Sequence, residues 1–266
     1  MDRRRFFQKT LLGAGALAVT PNVFSSDTDL SAGASLDGKR VIFVWGGWKG
    51  HEPEPCRDLF VPWMRSEGVV VDVFDSLDCY LDKALMEKTD LVVQIWTMGK
   101  ITREQEQGLL AAVKNGTGIA GWHGGTGDAF RDNTEYQFMI GGQWVAHPGG
   151  VIDYDVKITN HNDEVTKGLN DFHMHSEQYY MHIDPNVKVL ATTRYNGDHA
   201  AWIDGAVMPV AWKKYYGKGR VFYSSLGHVA ADFDVPEALA IMKRGIRWAG
   251  ESKYAPYEKW MQPVYG

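Results

Sequence analysis

Four short apolar runs in the first half of the chain, each trailed by a segment of helical character, restrict the possible folds more than any other feature. They occupy residues 41–45, 69–74, 91–96 and 119–122. The first is apolar throughout, as a central parallel strand covered on both faces requires; a strand open to solvent on one face would alternate. Between the runs, Pro53 or Pro55 starts a helix through Glu67, with Pro62 set to kink it, and residues 83–88 form a short helix. Thr102 and Gln105 make a capping box for a further helix, which Asn115-Gly116 ends. Repeated strand–helix units predict a mostly parallel sheet with helices on both faces, a three-layer α/β/α arrangement.

The second half has a different texture. Residues 151–159, 172–181, 187–194, 210–215 and 220–224 are strand-like and close together, and Tyr216-Gly217-Lys218-Gly219 reads as the hairpin joining the last two. These are expected as extra strands of the same sheet, closed by a last helix carrying Leu239, Met242, Ile246 and Ala249 at helical spacing. A chain of 266 residues, 44% hydrophobic, has enough core for one large domain. Its net charge of −5 argues against nucleic acid or an anionic membrane as partner.

The chain starts with Arg3-Arg4-Arg5-Phe6-Phe7 and a weakly apolar run over 11–19, closed by Pro21. This resembles a twin-arginine export signal, and the run is too short to span a membrane. The expected organisation is a signal at 1–25, a polar Gly/Ser-rich linker at 26–38, the folded domain at 39–252 and a tail at 253–266. The mature protein is then expected outside the cytoplasm, in the periplasm, without membrane insertion. Cys56 and Cys79 could pair in an oxidising compartment, but two cysteines are no disulfide framework.

Chemistry concentrates on histidine. In Gly118-Ile119-Ala120-Gly121-Trp122-His123-Gly124-Gly125 a buried strand breaks into a glycine-lined turn with imidazole at its tip. Hydrolases put a nucleophile there, at the carboxyl end of the sheet; an imidazole suits a metal ion or a proton instead. His51 follows the first strand, His147 follows Gly141-Gly142-Gln143-Trp144, and His228 follows Ser224-Ser225-Leu226-Gly227. Dispersed histidines gathered by a fold with one carboxylate describe an open divalent site, zinc or similar. His173 and His175 form a His–X–His pair on a strand, where period two would place them on one face with Glu177 and Tyr179. The aromatic residues Trp45, Trp122 and Trp212 could stack on a sugar ring or fill the core.

Taken together, Gly50-His51-Glu52, Trp122-His123-Gly124-Gly125, Gly141–His147-Pro148, Ser176-Glu177-Gln178-Tyr179-Tyr180, Pro209-Val210-Ala211-Trp212 and Gly217–Tyr223 leading to Leu226-Gly227-His228 resemble the ThuA-like (trehalose-utilisation) family. The resemblance spans Val41 to Ala249. It implies a flavodoxin-like, class I glutamine-amidotransferase-like fold and a part in sugar catabolism, beside oxidoreductases that turn a glucoside hydroxyl into a ketone. His51, Glu52, His123, His147, Glu177, Arg220 and His228 match its pattern; His173 and His175 do not. Amidotransferase relatives carry cysteine where His123 stands, so that activity is not expected.

The expected chemistry is proton removal beside the ketone of a keto-glycoside, with elimination or hydrolysis of the glycosidic bond. In this reading His123, His147, Glu177 and His228 are metal ligands, with His51 and Glu52 as base and partner. Arg220, Trp45, Trp122 and Trp212 face the carbohydrate. A non-catalytic sugar-binding module and a keto-sugar isomerase or epimerase are the alternatives, and a homo-oligomer is compatible with the sequence.

Overall fold

The computed structural model describes residues 34–258. Its strands are β1 (Arg40–Gly47), β2 (Val70–Phe74), β3 (Leu91–Thr97), β4 (Gly118–Trp122), β5 (Gly142–Ala146), β6 (Val151–Ile158), β7 (Phe172–Glu177), β8 (Tyr180–Ile183), β9 (Lys188–Arg194), β10 (Val207–Tyr216) and β11 (Gly219–Ser224). The helices are α1 (Pro53–Ser66), α2 (Lys83–Lys88), α3 (Arg103–Lys114), α4 (His123–Gly127), α5 (Thr134–Ile140) and α6 (Pro236–Gly250).

Nine strands form one sheet in the order β2-β1-β3-β4-β11-β10-β9-β6-β7. From β2 to β11 neighbours run parallel, and from β11 outward they run antiparallel. Alternate residues of each parallel strand feed two separate cores. Val41, Phe43 and Val93 pack with Phe60, Met64, Ile241, Met242 and Ile246 of α1 and α6. Ile42, Val44 and Val92 pack with Met86, Leu109, Val113, Tyr136 and Met139 of α2, α3 and α5. Both faces are covered, which is why these strands are largely apolar. The capping box is in place: Gln105 N–H donates to Thr102 Oγ1 at 3.2 Å, and Thr102 N–H donates to Gln105 Oε1 at 2.9 Å.

The structure departs from the sequence reading in several places. The single strand expected at 172–181 is two, because Gln178 and Tyr179 leave the ladder. Gln178 Nε2 donates to Thr193 Oγ1 at 2.7 Å, and its carbonyl accepts from the Tyr195 hydroxyl at 2.9 Å. After this break β8 pairs with β5 in a separate two-stranded ribbon. Pro62 lies within α1, which continues to Ser66.

The expected linker reaches into packed chain. Leu36 is fully buried among core residues, and the Ser35 N–H donates to Glu251 Oε1 at 3.1 Å. Cys56 and Cys79 are free and belong to cores on opposite faces of the sheet, so they do not pair. Burial pushes each thiol up to about 12, which keeps both protonated. The described start of the tail lies on the body: Tyr257 packs on Tyr215 at 4.2 Å between rings, and Trp248 Nε1 donates to Glu258 at 3.2 Å. Residues 1–25, read as an export signal, lie outside the described residues.

Candidate metal centre

The carboxyl ends of β1, β3, β4 and β11 meet at one edge of the sheet, the edge where open α/β folds place their ligands. His51 ends the short 3-10 turn after β1, His123 starts α4 directly after β4, and His228 lies in the loop after β11. The end of β7 supplies Glu177, four strands away from β11. One ligand atom from each of these four residues lies within 4.8 Å of the others. Three imidazole nitrogens converge on Glu177 Oε2: His123 Nε2 at 3.1 Å, His228 Nδ1 at 3.3 Å and His51 Nε2 at 3.8 Å.

The backbone is strained where it delivers these groups. Among the described residues the non-glycine positions with positive φ are Glu52 (45°), Met98 (51°) and His123 (45°). They follow β1, β3 and β4 at this edge, and such conformations persist only where neighbours hold them. The Tyr223 hydroxyl holds the His123 carbonyl at 3.1 Å, and Met98 N–H donates to the Asp128 carbonyl at 2.8 Å. Gly124 is required by close approach: a Cβ there would sit 2.4 Å from His51 Cε1.

A second layer of contacts orients the imidazoles. His123 Nδ1 donates to the Ser225 carbonyl at 2.8 Å, and His51 Nδ1 lies 2.9 Å from Thr97 Oγ1. Tyr179 stacks on His123 with ring centres 3.9 Å apart. Asp232 Oδ2 accepts from both Ser176 Oγ at 2.6 Å and His228 N–H at 2.8 Å, tying the Glu177 strand to the His228 loop. Ligand histidines in metal sites are ordinarily held through their other ring nitrogen in this way.

The donor set fits a divalent cation on one specific ground. A carbonyl only accepts, so the His123 proton sits on Nδ1, and Nε2 of the neutral ring presents a lone pair to an anionic oxygen 3.1 Å away. Burial drives the His123 imidazole down to about 3 against the pull of Glu177, so protonation does not relieve the clash at neutral pH. A cation between these groups satisfies all of them. Three nitrogens and one carboxylate are the ligand chemistry of zinc and related borderline metals.

The four-residue group includes His51, expected as the base, and leaves out His147, expected as a ligand. His147 lies outside the four-residue group, on the other oxygen: its Nδ1 is 3.7 Å from Glu177 Oε1. Its side chain is 36% exposed against 1% for His123, and its buried Nδ1 has no hydrogen-bond partner among the described residues. His51, expected as the base, stands inside the ligand group. Glu52 does not partner it; Glu52 Oε2 accepts from Ala230 N–H at 3.0 Å and fixes the His228 loop.

The residues expected to face carbohydrate do other work. Trp122 is buried against Phe43, Phe60 and Phe233, and the cavity it borders beside His51 and His123 is only about 10 Å³. Trp212 is fully buried, with Nε1 donating to the Ile140 carbonyl at 2.9 Å. Trp45 is partly buried beneath the Arg57 guanidinium, 4.4 Å from its ring. Arg220 is buried at the opposite end of β11, where it donates to the Trp248 carbonyl at 3.1 Å. The aromatic groups that do border the cluster are Trp48, whose ring meets His51 at 4.7 Å, together with Tyr179 and Trp144. Trp48 stands beside a glycine in the sequence, as Trp45 and Trp122 do, so nothing local separates it from them.

His173 and His175 stay away from the centre, exposed on the outermost strand β7. Period two places Glu177 on their side of the strand, but only Glu177 lies at the end covered by the loops.

The fold and the site together define a three-layer α/β protein with imidazoles and a carboxylate gathered at the carboxyl edge of its sheet. The model of the ThuA family, described as trehalose utilisation, matches residues 40–249. The chain belongs to this family, and so to carbohydrate metabolism. A ThuA-like protein from Bacteroides uniformis ATCC 8492 is similar in structure, with TM-score 0.67 and 16% identity over 81% of this chain and 92% of that one. Another from Parabacteroides merdae ATCC 43184 gives TM-score 0.63 and 18% identity over 85% and 95%. A cytoplasmic protein of Salmonella typhimurium LT2 gives TM-score 0.54 and 14% identity over 80% and 98%. No curated protein matches the chain.

Proposed function

We propose that this protein is a metal-dependent enzyme that cleaves keto-glycosides by removing the proton beside the ketone. The observation that carries the reading is the convergence of three imidazoles on one oxygen of Glu177, with a fourth, more exposed imidazole on the other. Family membership supplies the carbohydrate; the cluster supplies the chemistry. His51, His123, His228 and Glu177 would hold a divalent ion. When bound, such an ion offsets the negative charge that builds on a ketone oxygen as the neighbouring carbon loses its proton.

The chain's own residues then divide the remaining work. His147, accessible on one side and backed by Glu177 on the other, takes the proton from C2 of a 3-keto-glycoside. The C2–H electrons form the C1–C2 double bond as the C1–O bond breaks, and the His147 proton passes to the departing aglycone oxygen. Water added to the resulting enone completes hydrolysis. Trp48, Tyr179 and Trp144 border the substrate's approach. The arginine-led segment at 1–25 would export the folded chain with its ion already bound.

The test incubates zinc-loaded protein with a nitrophenyl 3-keto-glucoside in deuterated water. Aglycone release abolished by a chelator, with deuterium at C2 of the sugar, is the expected result. Exchange at C2 without release would reassign the protein as an isomerase or epimerase. Binding with neither event would make it a sugar-binding module.

A further inference from the structure

The His–X–His pair that the centre leaves unused has its own setting. His173 and His175 project from β7 on the solvent face, and β6 places Asp155 and Asp153 directly opposite them in antiparallel register. Directly opposed residues on one face of such a pair bring their Cβ atoms to within about 5.5 Å. The four side chains therefore form a two-by-two block of two imidazoles and two carboxylates. Asp153 Oδ1 already lies 2.9 Å from His175 Nδ1 and 3.2 Å from His173 Nε2, and Asp155 Oδ1 lies 3.0 Å from His173 Nδ1.

We propose that this block is a second cation site, taking a borderline divalent metal such as zinc, nickel or copper on the face of the edge strand. Two observations favour a metal over simple cross-strand pairing. Both histidines, two residues apart on the same face of one strand, already reach the same carboxylate oxygen, Asp153 Oδ1, so two imidazoles and a carboxylate stand side by side. Two carboxylates also match the charge of a divalent ion, and imidazole with carboxylate suits the borderline metals. All four side chains are well over half exposed, so small rotations bring the donors together without disturbing the core. The same exposure leaves water on the ion and makes the site weaker than the buried centre. An ion there would staple the outermost strand to β6 just before the strand delivers Glu177.

The experiment titrates zinc chloride into untagged, chelator-stripped protein by calorimetry and compares the wild type with His173→Gln/His175→Gln. The substituted residues are exposed, and far-ultraviolet circular dichroism checks that the variant folds. The expected result is that the wild type takes up one more zinc equivalent, of weaker affinity, than the variant. Asp153→Asn should weaken that same equivalent at least tenfold. Equal zinc uptake by wild type and double variant overturns the proposal. His123→Gln, which addresses only the buried centre, should leave the weaker equivalent in place, so failure of one site is distinguishable from failure of the other.

Discussion

At the scale of single residues, the account turns on which imidazole holds an ion and which moves a proton. His147 and His123 touch opposite oxygens of the same carboxylate, yet their settings differ: one ring is half-exposed, the other sealed beneath Tyr179. His147→Gln should lower turnover of a keto-glycoside by about 10²–10⁴-fold, the usual contribution of a general base, while zinc affinity changes little. Calorimetric zinc titration beside steady-state kinetics separates the two; a parallel loss of zinc would make His147 a ligand. Gly124→Ala acts in the opposite sense. Its new methyl must displace His51, so zinc affinity should fall by about 10–100-fold, as when the support of a ligand is removed. Competition against a chromophoric chelator measures it.

These residues differ in how far the sequence exposes them. The elbow histidine was legible because imidazole and two glycines directly follow an apolar run, a local pattern. That His51 joins the four-residue group and His147 lies outside it depends on a loop meeting a strand that the chain reaches only much later. Nothing adjacent to either residue encodes it. The tryptophans show the same limit, since an aromatic ring beside a glycine reads alike whether it lines a cleft or fills a core, as Trp48 and Trp122 do.

At the scale of elements, the parallel half was legible, and so were the outer strands β6, β9, β10 and β11 with the hairpin between the last two; the ribbon of β5 and β8 was not. Strands buried on both faces are largely apolar, and β1, β3 and β4 carry that mark plainly. β5 and β8 do not: their ribbon is fixed by Gln178 turning into the protein, and a single amide cannot be read as a strand break. The outer strands have their own electrostatic anchor. Asp163 lies 2.7 Å from Lys213 Nζ on β10 and 2.8 Å from Lys188 Nζ on β9. Burial would raise its carboxyl, but the ammonium groups, Lys213 foremost, hold it below its ordinary value.

A carboxyl whose folded pKa is depressed contributes stability above its unfolded value of about 3.9, and that contribution is lost as pH falls through the folded value. The wild type should therefore lose melting temperature steeply below about pH 4. Asp163→Asn, already destabilised by about 3–5 kcal/mol through leaving buried Lys213 only the longer contact to Glu164 at 3.4 Å, should show a flatter acid limb. Scanning calorimetry from pH 7 to pH 3 checks both the offset and the slope. An unchanged acid limb in the variant would remove Asp163 from the account.

At the scale of the whole molecule, the fold supplies a rigid edge and the loops supply the chemistry. Three strand ends and one outer strand bring His51, His123, Glu177 and His228 together from positions spread across most of the domain. Strain at Glu52, Met98 and His123 is tolerated there because two packed cores hold the strands on which it sits. A centre of this kind ties distant loops together, so a bound ion should also stabilise the native state. At a hundredfold excess over its dissociation constant the gain is about 2.7 kcal/mol. The most direct test is an anomalous difference map from crystals grown with zinc, recorded at the zinc edge. The account predicts a peak about 2.0–2.3 Å from His51 Nε2, His123 Nε2, His228 Nδ1 and Glu177 Oε2. A map at full zinc saturation with no peak among those four atoms would contradict it.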